Sequence, residues 1–433
     1  MRKEEAILNS AVLKLSYNKI RLDYLVALLV GISILLEYFP IAVVVNKYYF
    51  MFVLGVCVIY ALIDKEVVII NQVNYVPVMY LLALSAYSLL SYNWSVDKQI
   101  SLSYSEAILK KALLFIVISV FSRNNSIKKN AHWFWYFLVL SYLSIALWEI
   151  ITWKHLPQSI LYNSASFIPT GPFYGPNHLA AVNNLLLPFI LFVPELKHNN
   201  CLRFISFLCA LITLSITIVE GARIAIISML AMLLFSFFFL YTRPMRRIGL
   251  LVIALLVIGL GIFAKPLIVF TTEKLQEELG SIGQESQSFI MSSIKIRTNL
   301  IPENLGILAQ SKFMGVGAGN VEHYMLAGRI YRTAGISNSH NFFLELMSNY
   351  GLLFLLGFLY IYGIWLYRLW RAIKMNPDKK KYYEMYFFVA LMFIPTACLP
   401  STIIWDYHYW ILFAFINEIS HPANWMPKQN EQI

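Results

Sequence analysis

Residues 313–359 read FMGVGAGNVEHYMLAGRIYRTAGISNSHNFFLELMSNYGLLFLLGFL. A glycine-rich polar loop with basic residues runs through Ser339, His340 and Asn341 straight into a long apolar stretch. Ionisable side chains therefore meet the end of a membrane-crossing segment. Burying charge there is expensive, which makes each of them a candidate for function.

Working outward, 59% of the 433 residues are hydrophobic, 15% aromatic and only 13% charged. Soluble domains carry roughly a quarter charged residues, so the chain reads as a polytopic membrane protein. Apolar runs near the length needed to cross a bilayer, roughly 17–25 residues, fall near 22–40, 48–63, 75–92, 107–121, 133–151, 179–194, 203–220, 223–241, 248–265, 341–369, 384–400 and 403–420. The expected fold is all-α, with about twelve transmembrane helices.

Lys and Arg in short loops are retained on the cytoplasmic side. The clusters Arg2, Lys3, Lys14, Lys19, Arg21; Arg123, Lys128, Lys129; Arg243, Arg246, Arg247; and Arg368, Arg371, Lys374, Lys379, Lys380, Lys381 all fall inside when the N-terminus is cytoplasmic. The expected division is a cytoplasmic segment 1–21, spans 1–9 within 22–264, an external loop 265–340, spans 10–12 within 341–420, and a cytoplasmic tail 421–433. The net charge of +11 follows from this bias and needs no nucleic acid. Residues 1–21 are polar and no small-residue cleavage site follows the first apolar run, so that run is expected to stay as an anchor.

The loop between spans 9 and 10 reads as partly helical, in TTEKLQEELG and SFIMSSIKIRTNLIPENLGILAQ, broken by Gly280, Gly283 and Pro302. Apolar positions Ile290, Ile294, Ile296, Leu300 and Leu305 favour an amphipathic segment lying on the membrane. A second external insertion covers 152–178. Cys57, Cys201, Cys209 and Cys398 sit in or beside apolar runs at no metal-ligand spacing and read as packing residues. Met and the many aromatic residues read as lipid-facing and interfacial anchors.

Candidate chemistry gathers on the external side. Arg223 lies between two apolar runs with Glu220 three residues before it, either neutralised by that carboxylate or facing a polar cavity. Arg297 sits among apolar residues, and Arg329 and Arg332 precede His340. Guanidinium forks match phosphate oxygens; converging arginines suit a pyrophosphate. His340 is the natural general base, since imidazole titrates near neutral pH; the alternative is a histidine that orients a helix starting near 341, with Ser339 as its N-cap. The glycines of GVGAG (315–319) read as tight turning rather than a phosphate cradle, because the strand–loop–helix context and the P-loop lysine are missing. In PTGPFYGPNH (169–178), Asn177 and His178 either cap the following helix or bond a sugar.

The order and spacing of GPFYGPNHLAAVN (171–183), EGARIAIIS (220–228), Arg297, GVGAGN (315–320) and SHNFFLELMSNYGLLFLLG (339–357) resembles the O-antigen ligase and polymerase family, membrane glycosyltransferases of the GT-C type. Ala222 and Ile224 depart from the serine and small residue that flank the family's arginine. The resemblance implies an undecaprenyl-pyrophosphate-linked oligosaccharide donor, a glycan acceptor, and metal-independent, inverting transfer at the external face of the cytoplasmic membrane. No cofactor is implied; a chain-length regulator and a flippase are implied partners. Carried over by motif, Arg223 and Arg297 hold the pyrophosphate and His340 deprotonates the acceptor; Arg329 and Arg332 join the pyrophosphate candidates by their spacing ahead of His340. Asn177, His178, Asn341 and Glu345 take substrate-binding or structural places. Polymerase is the leading expectation and ligase the alternative; a transporter, or a scaffold without catalysis, is the reading of another class.

Overall fold

The computed structural model describes residue 55 and residues 74–122, 125–164, 166–240, 293–327, 336–400 and 402–425. Among them every regular element is helical. The runs expected at 22–40, 48–63 and 248–265 lie outside these residues, as do 265–292 and both chain ends.

In chain order the helices are α1 (Tyr75–Ser91), α2 (Lys98–Phe121), α3 (Asn125–Thr152), α4 (Pro176–Lys197), α5 (Asn200–Glu220), α6 (Arg223–Phe239), α7 (Ser293–Gln310), α8 (Val321–Leu326), α9 (Phe342–Tyr350), α10 (Leu352–Met375), α11 (Lys380–Thr396) and α12 (Tyr407–Ile419). Among the described residues four stretches are long and apolar enough to cross a bilayer: Asn130–Thr152, Pro176–Lys197, Asn200–Glu220 and Leu352–Met375. Tyr75–Ser91 and Arg223–Ser236 are shorter apolar helices. The chain is a membrane protein.

Helix α4 is the centre of the packing. Its sequence LAAVNNLLLPFILFVPE is apolar nearly all round, the pattern of a helix enclosed by others. Every residue from Leu179 to Glu195 is buried, with α3, α5, α6 and α11 laid against it. Asn184 ties three of these helices: its amide donates to Thr396 Oγ1 of α11 at 2.9 Å and its carbonyl accepts from Ser228 Oγ of α6 at 2.7 Å. Small residues close the α1–α2 pair, where Ser85, Ser88, Ser91, Ser95, Ser101 and Ser105 are all buried. Ser88 and Ser105 meet Oγ to Oγ at 2.8 Å, the close approach that small side chains permit between membrane helices.

Three expectations are corrected. The run 341–369 is not one span: it breaks at Gly351, whose backbone stands at φ 90°, into the short α9 and the long α10. A Cβ there would lie 2.6 Å from the carbonyl oxygens of Phe313 and Met314, so only glycine lets the loop and the helix junction touch. Pro302 does not break the external segment, for α7 runs through it, burying Leu300 and Ile307 against Val316, Val321 and Met325. Leu305 is exposed instead. Many aromatics are core rather than lipid anchors: Phe342, Phe358, Phe393 and Phe413 from α9, α10, α11 and α12 are buried and pack edge to face or tilted, with Phe393 and Phe413 4.8 Å apart. Such pairs add about 0.5–1.5 kcal/mol each beyond burial.

Candidate functional site

The loop before α9 is held from both ends. Ser339 donates from Oγ to Asn304 Oδ1 of α7 at 2.8 Å, and Ser348 of α9 donates to the same oxygen at 2.9 Å. Asn341, not Ser339, is the N-cap: its Oδ1 accepts from Phe343 N and Leu344 N at 2.9 and 3.2 Å. Its amide faces Cys398 Sγ at 3.3 Å, and Phe342 N donates to Ala397 O at 2.8 Å, which fastens the loop to the end of α11. Asn341 is therefore structural.

Between these two anchors His340 sits in the left-handed region at φ 44°. That conformation costs a non-glycine residue roughly 1–2 kcal/mol, and such strain persists where the surroundings over-determine it. Among the described residues the buried Nδ1 of His340 has no hydrogen-bond partner. Burial first, then Arg297 and His178, push its pKa down to about 4. The ring is neutral at physiological pH.

One side of His340 is cationic. Arg297, on α7, donates from Nη1 to Cys398 O at 3.3 Å. Burial, and then the charge of Arg223, lower its pKa from the ordinary guanidinium value. Arg223 opens α6 as its first residue. The two arginines thus come from distant parts of the chain into each other's field. Glu220 does not hold Arg223 by a hydrogen bond, since both its carboxylate oxygens are buried without a partner among the described residues. Arg329 and Arg332 lie outside the described residues.

Beside His178, named from the sequence, stand Asp406 and Lys111, which sequence reading passed over. His178 Nδ1 stands 3.7 Å from Asp406 Oδ2. Helix α4 starts from Gly175 with no side-chain cap, so neither Asn177 nor His178 serves that purpose. Asp406 precedes α12 and feels His178, His408 and Lys111, a lysine of α2 only 3% exposed whose ammonium lies over the Tyr407 ring. Glu345 is buried on α9 and accepts from Thr402 Oγ1 at 2.8 Å, which makes it a support behind the site. Asp406 and Lys111 are visible in retrospect as ionisable residues beside or within apolar runs, the same signal that marks Arg223.

The insertion 152–178 is built on another buried carboxylate. Glu149 Oε2 accepts from Thr170 N at 2.7 Å and Gly171 N at 2.6 Å, and Oε1 from Thr170 Oγ1 at 3.1 Å. His155, 3.2 Å from Oε1, reaches Ser166 O with its other nitrogen at 2.9 Å. The turn so fixed delivers the chain to Pro176 and sets where His178 starts α4.

The glycine loop is a turn, as expected. Its amides are engaged by the protein: Val316 N to Ser348 O at 2.9 Å, Gly317 N to Asn349 O at 3.0 Å and Ala318 N to Ser91 Oγ at 3.0 Å. A phosphate would find these donors already used.

Arg223 and Arg297 thus act on each other, and Arg297 on His340, in a helical protein with apolar spans. Residues 207–359 match the O-antigen ligase family, a stretch that takes in Arg223, Arg297 and His340. A relative, the teichuronic acid biosynthesis protein TuaE of Bacillus subtilis (strain 168), is 25% identical over 342 residues, covering 76% of this chain and 68% of the relative. Both likenesses are to proteins of cell-surface polysaccharide biosynthesis.

Proposed function

We propose that this protein lengthens a cell-surface polysaccharide by moving a glycan from an undecaprenyl-pyrophosphate carrier to an acceptor hydroxyl at the external face of the cytoplasmic membrane. The observation that carries the reading is the convergence of Arg223 and Arg297 next to a neutral His340.

In this mechanism the arginines bind the pyrophosphate oxygens. Each charge-assisted hydrogen bond contributes about 1.5–3 kcal/mol net, and those that strengthen as the leaving group gains charge lower the barrier. His340 takes the acceptor proton while the acceptor oxygen bonds to the anomeric carbon and the carbon–oxygen bond to pyrophosphate breaks. Direct displacement inverts the anomeric centre. A positioned base contributes about 10²–10⁴ in rate. The arginines supply the positive charge at the leaving group, so the scheme calls for no metal.

The test is transfer from a lipid-pyrophosphate-linked repeat unit by purified protein in detergent with chelator present. Elongation that survives chelator and is lost in folded His340→Ala and Arg223→Ala supports the reading. Product formed only on adding a separate acceptor makes the protein a ligase, and full activity in both variants overturns the site.

A further inference from the structure

Helix α5 ends at Glu220, and both oxygens of that carboxylate are buried with no hydrogen-bond partner among the described residues. The residue as a whole is only half-buried, so its stem keeps the exposure while the charged end turns inward. Buried polar atoms are nearly always paired in folded proteins, and each exception calls for an explanation. Its place adds to the cost, because the last turn of a helix carries partial negative charge. The transfer reaction gives this carboxylate no task.

There is room beside it. Gly221, the next residue, is exposed at φ 72°, and a Cβ added there would meet nothing within 4 Å. The chain then turns through Ala222 into Arg223, the first residue of α6. Three residues of chain span at most about 10–11 Å, so Glu220 and Arg223 spring from neighbouring points of one turn. Packing ties that turn to the rest of the site. Ala222 is buried in a small cluster with Ala180 and Ala181 of α4 and Leu399. Leu399 follows Cys398, whose carbonyl accepts from Arg297 and whose sulfur faces the amide of Asn341, the residue after His340.

A carboxylate at this place repels a pyrophosphate and accepts from neutral donors. The nearest such donors on the carrier belong to the sugar joined to the pyrophosphate, as hydroxyls or an acetamido N–H. Resting on the transfer reaction above, we propose that Glu220 is a specificity residue that accepts a hydrogen bond from the sugar bonded to the pyrophosphate. Arg223 then holds the part common to every such carrier, and Glu220 the part in which carriers differ. A carrier without the matching donor leaves the carboxylate buried and unmet, the arrangement that discriminates most strongly between substrates.

The test uses the full-length protein in detergent with chelator, comparing the parent with Glu220→Ala, Glu220→Gln and Arg223→Ala, each checked for a native elution profile. Elongation of a lipid-pyrophosphate-linked repeat unit is measured, and its inhibition by polyprenyl pyrophosphate that carries no sugar. Glu220→Ala should raise donor KM about 10–100-fold with kcat within about twofold of the parent, and leave inhibition by the sugar-free lipid unchanged. Glu220→Gln, which keeps an acceptor oxygen without the charge, should lose less. Without donor, Glu220→Ala should unfold at the parent's temperature or above it, since an unpaired buried charge stabilises nothing. An unchanged KM overturns the sugar contact. So does an equal loss toward donor and sugar-free lipid, or a lower unfolding temperature, either of which makes Glu220 a support for Arg223. A magnesium-dependent donor affinity that vanishes in Glu220→Ala makes the partner a cation and overturns it as well. All four results leave the transfer reaction standing, whereas full activity of Arg223→Ala overturns the transfer reading itself.

Discussion

His340 combines three properties that rarely coincide in a residue that only packs. Its backbone is left-handed, its Nδ1 is buried without a partner among the described residues, and burial, then neighbouring charge, depresses its pKa. These make the ring sensitive to acid in a defined window. An unfolded histidine titrates near 6.5, and burial with the neighbouring charges brings the folded value down to about 4. The unfolded state therefore binds more protons between these values, so the stability held by the neutral ring is full above about pH 6.5 and is lost as pH falls toward 4. Thermal unfolding in detergent should show the parent losing more stability than His340→Gln between pH 6.5 and 4. Parallel curves would contradict the depressed pKa. The charges in this site were legible one by one in the sequence, because Arg223, Arg297 and His340 interrupt apolar surroundings. Their grouping was not. Nothing in the spacing tells that Asp406, 228 residues beyond His178, comes within ion-pair distance of it, because the contact is made by helices whose mutual packing is set elsewhere.

Single elements show where local pattern succeeds and where tertiary contact overrides it. The ends of α5 and α6 fall close to the expected spans, since apolar runs and the intervening Gly221 mark them. The break at Gly351 was hidden by the apolar residues on both sides. It depends on Phe313 and Met314 arriving from a remote loop, and on Gly315, whose Cβ would meet Asn349 O at 2.6 Å. Gly351→Ala is expected to destabilise the fold by about 1–3 kcal/mol through its positive φ alone, and by more if the two backbones must part. Gly363→Ala, in α10 with open space around the added methyl, should be neutral or stabilising by up to about 1 kcal/mol. Unfolding midpoints of the two variants check the contrast, and equal midpoints would refute it.

For the whole molecule, sidedness rests on the distribution of Lys and Arg, and two free cysteines report it directly. Cys398 contacts the Asn341 cap beside the candidate site, and Cys201 is exposed in the first turn of α5. In right-side-out vesicles carrying protein with Cys57 and Cys209 replaced by serine, a membrane-impermeant maleimide should reach Cys398 at once and Cys201 only after permeabilisation. The reverse order would invert the topology and move the site to the cytoplasm. Helix α4, enclosed on every side, bears His178 at its outer end. The arginines ride instead on α6 and α7, which among the described residues leave Ile227, Leu230 and Leu234 of α6 and Ile301 and Leu305 of α7 exposed. In the proposed reaction, a lipid carrier would displace these helices at less expense of packing than α4. His178, fixed at the end of α4, would then act as a post, and the guanidiniums as the yielding jaw.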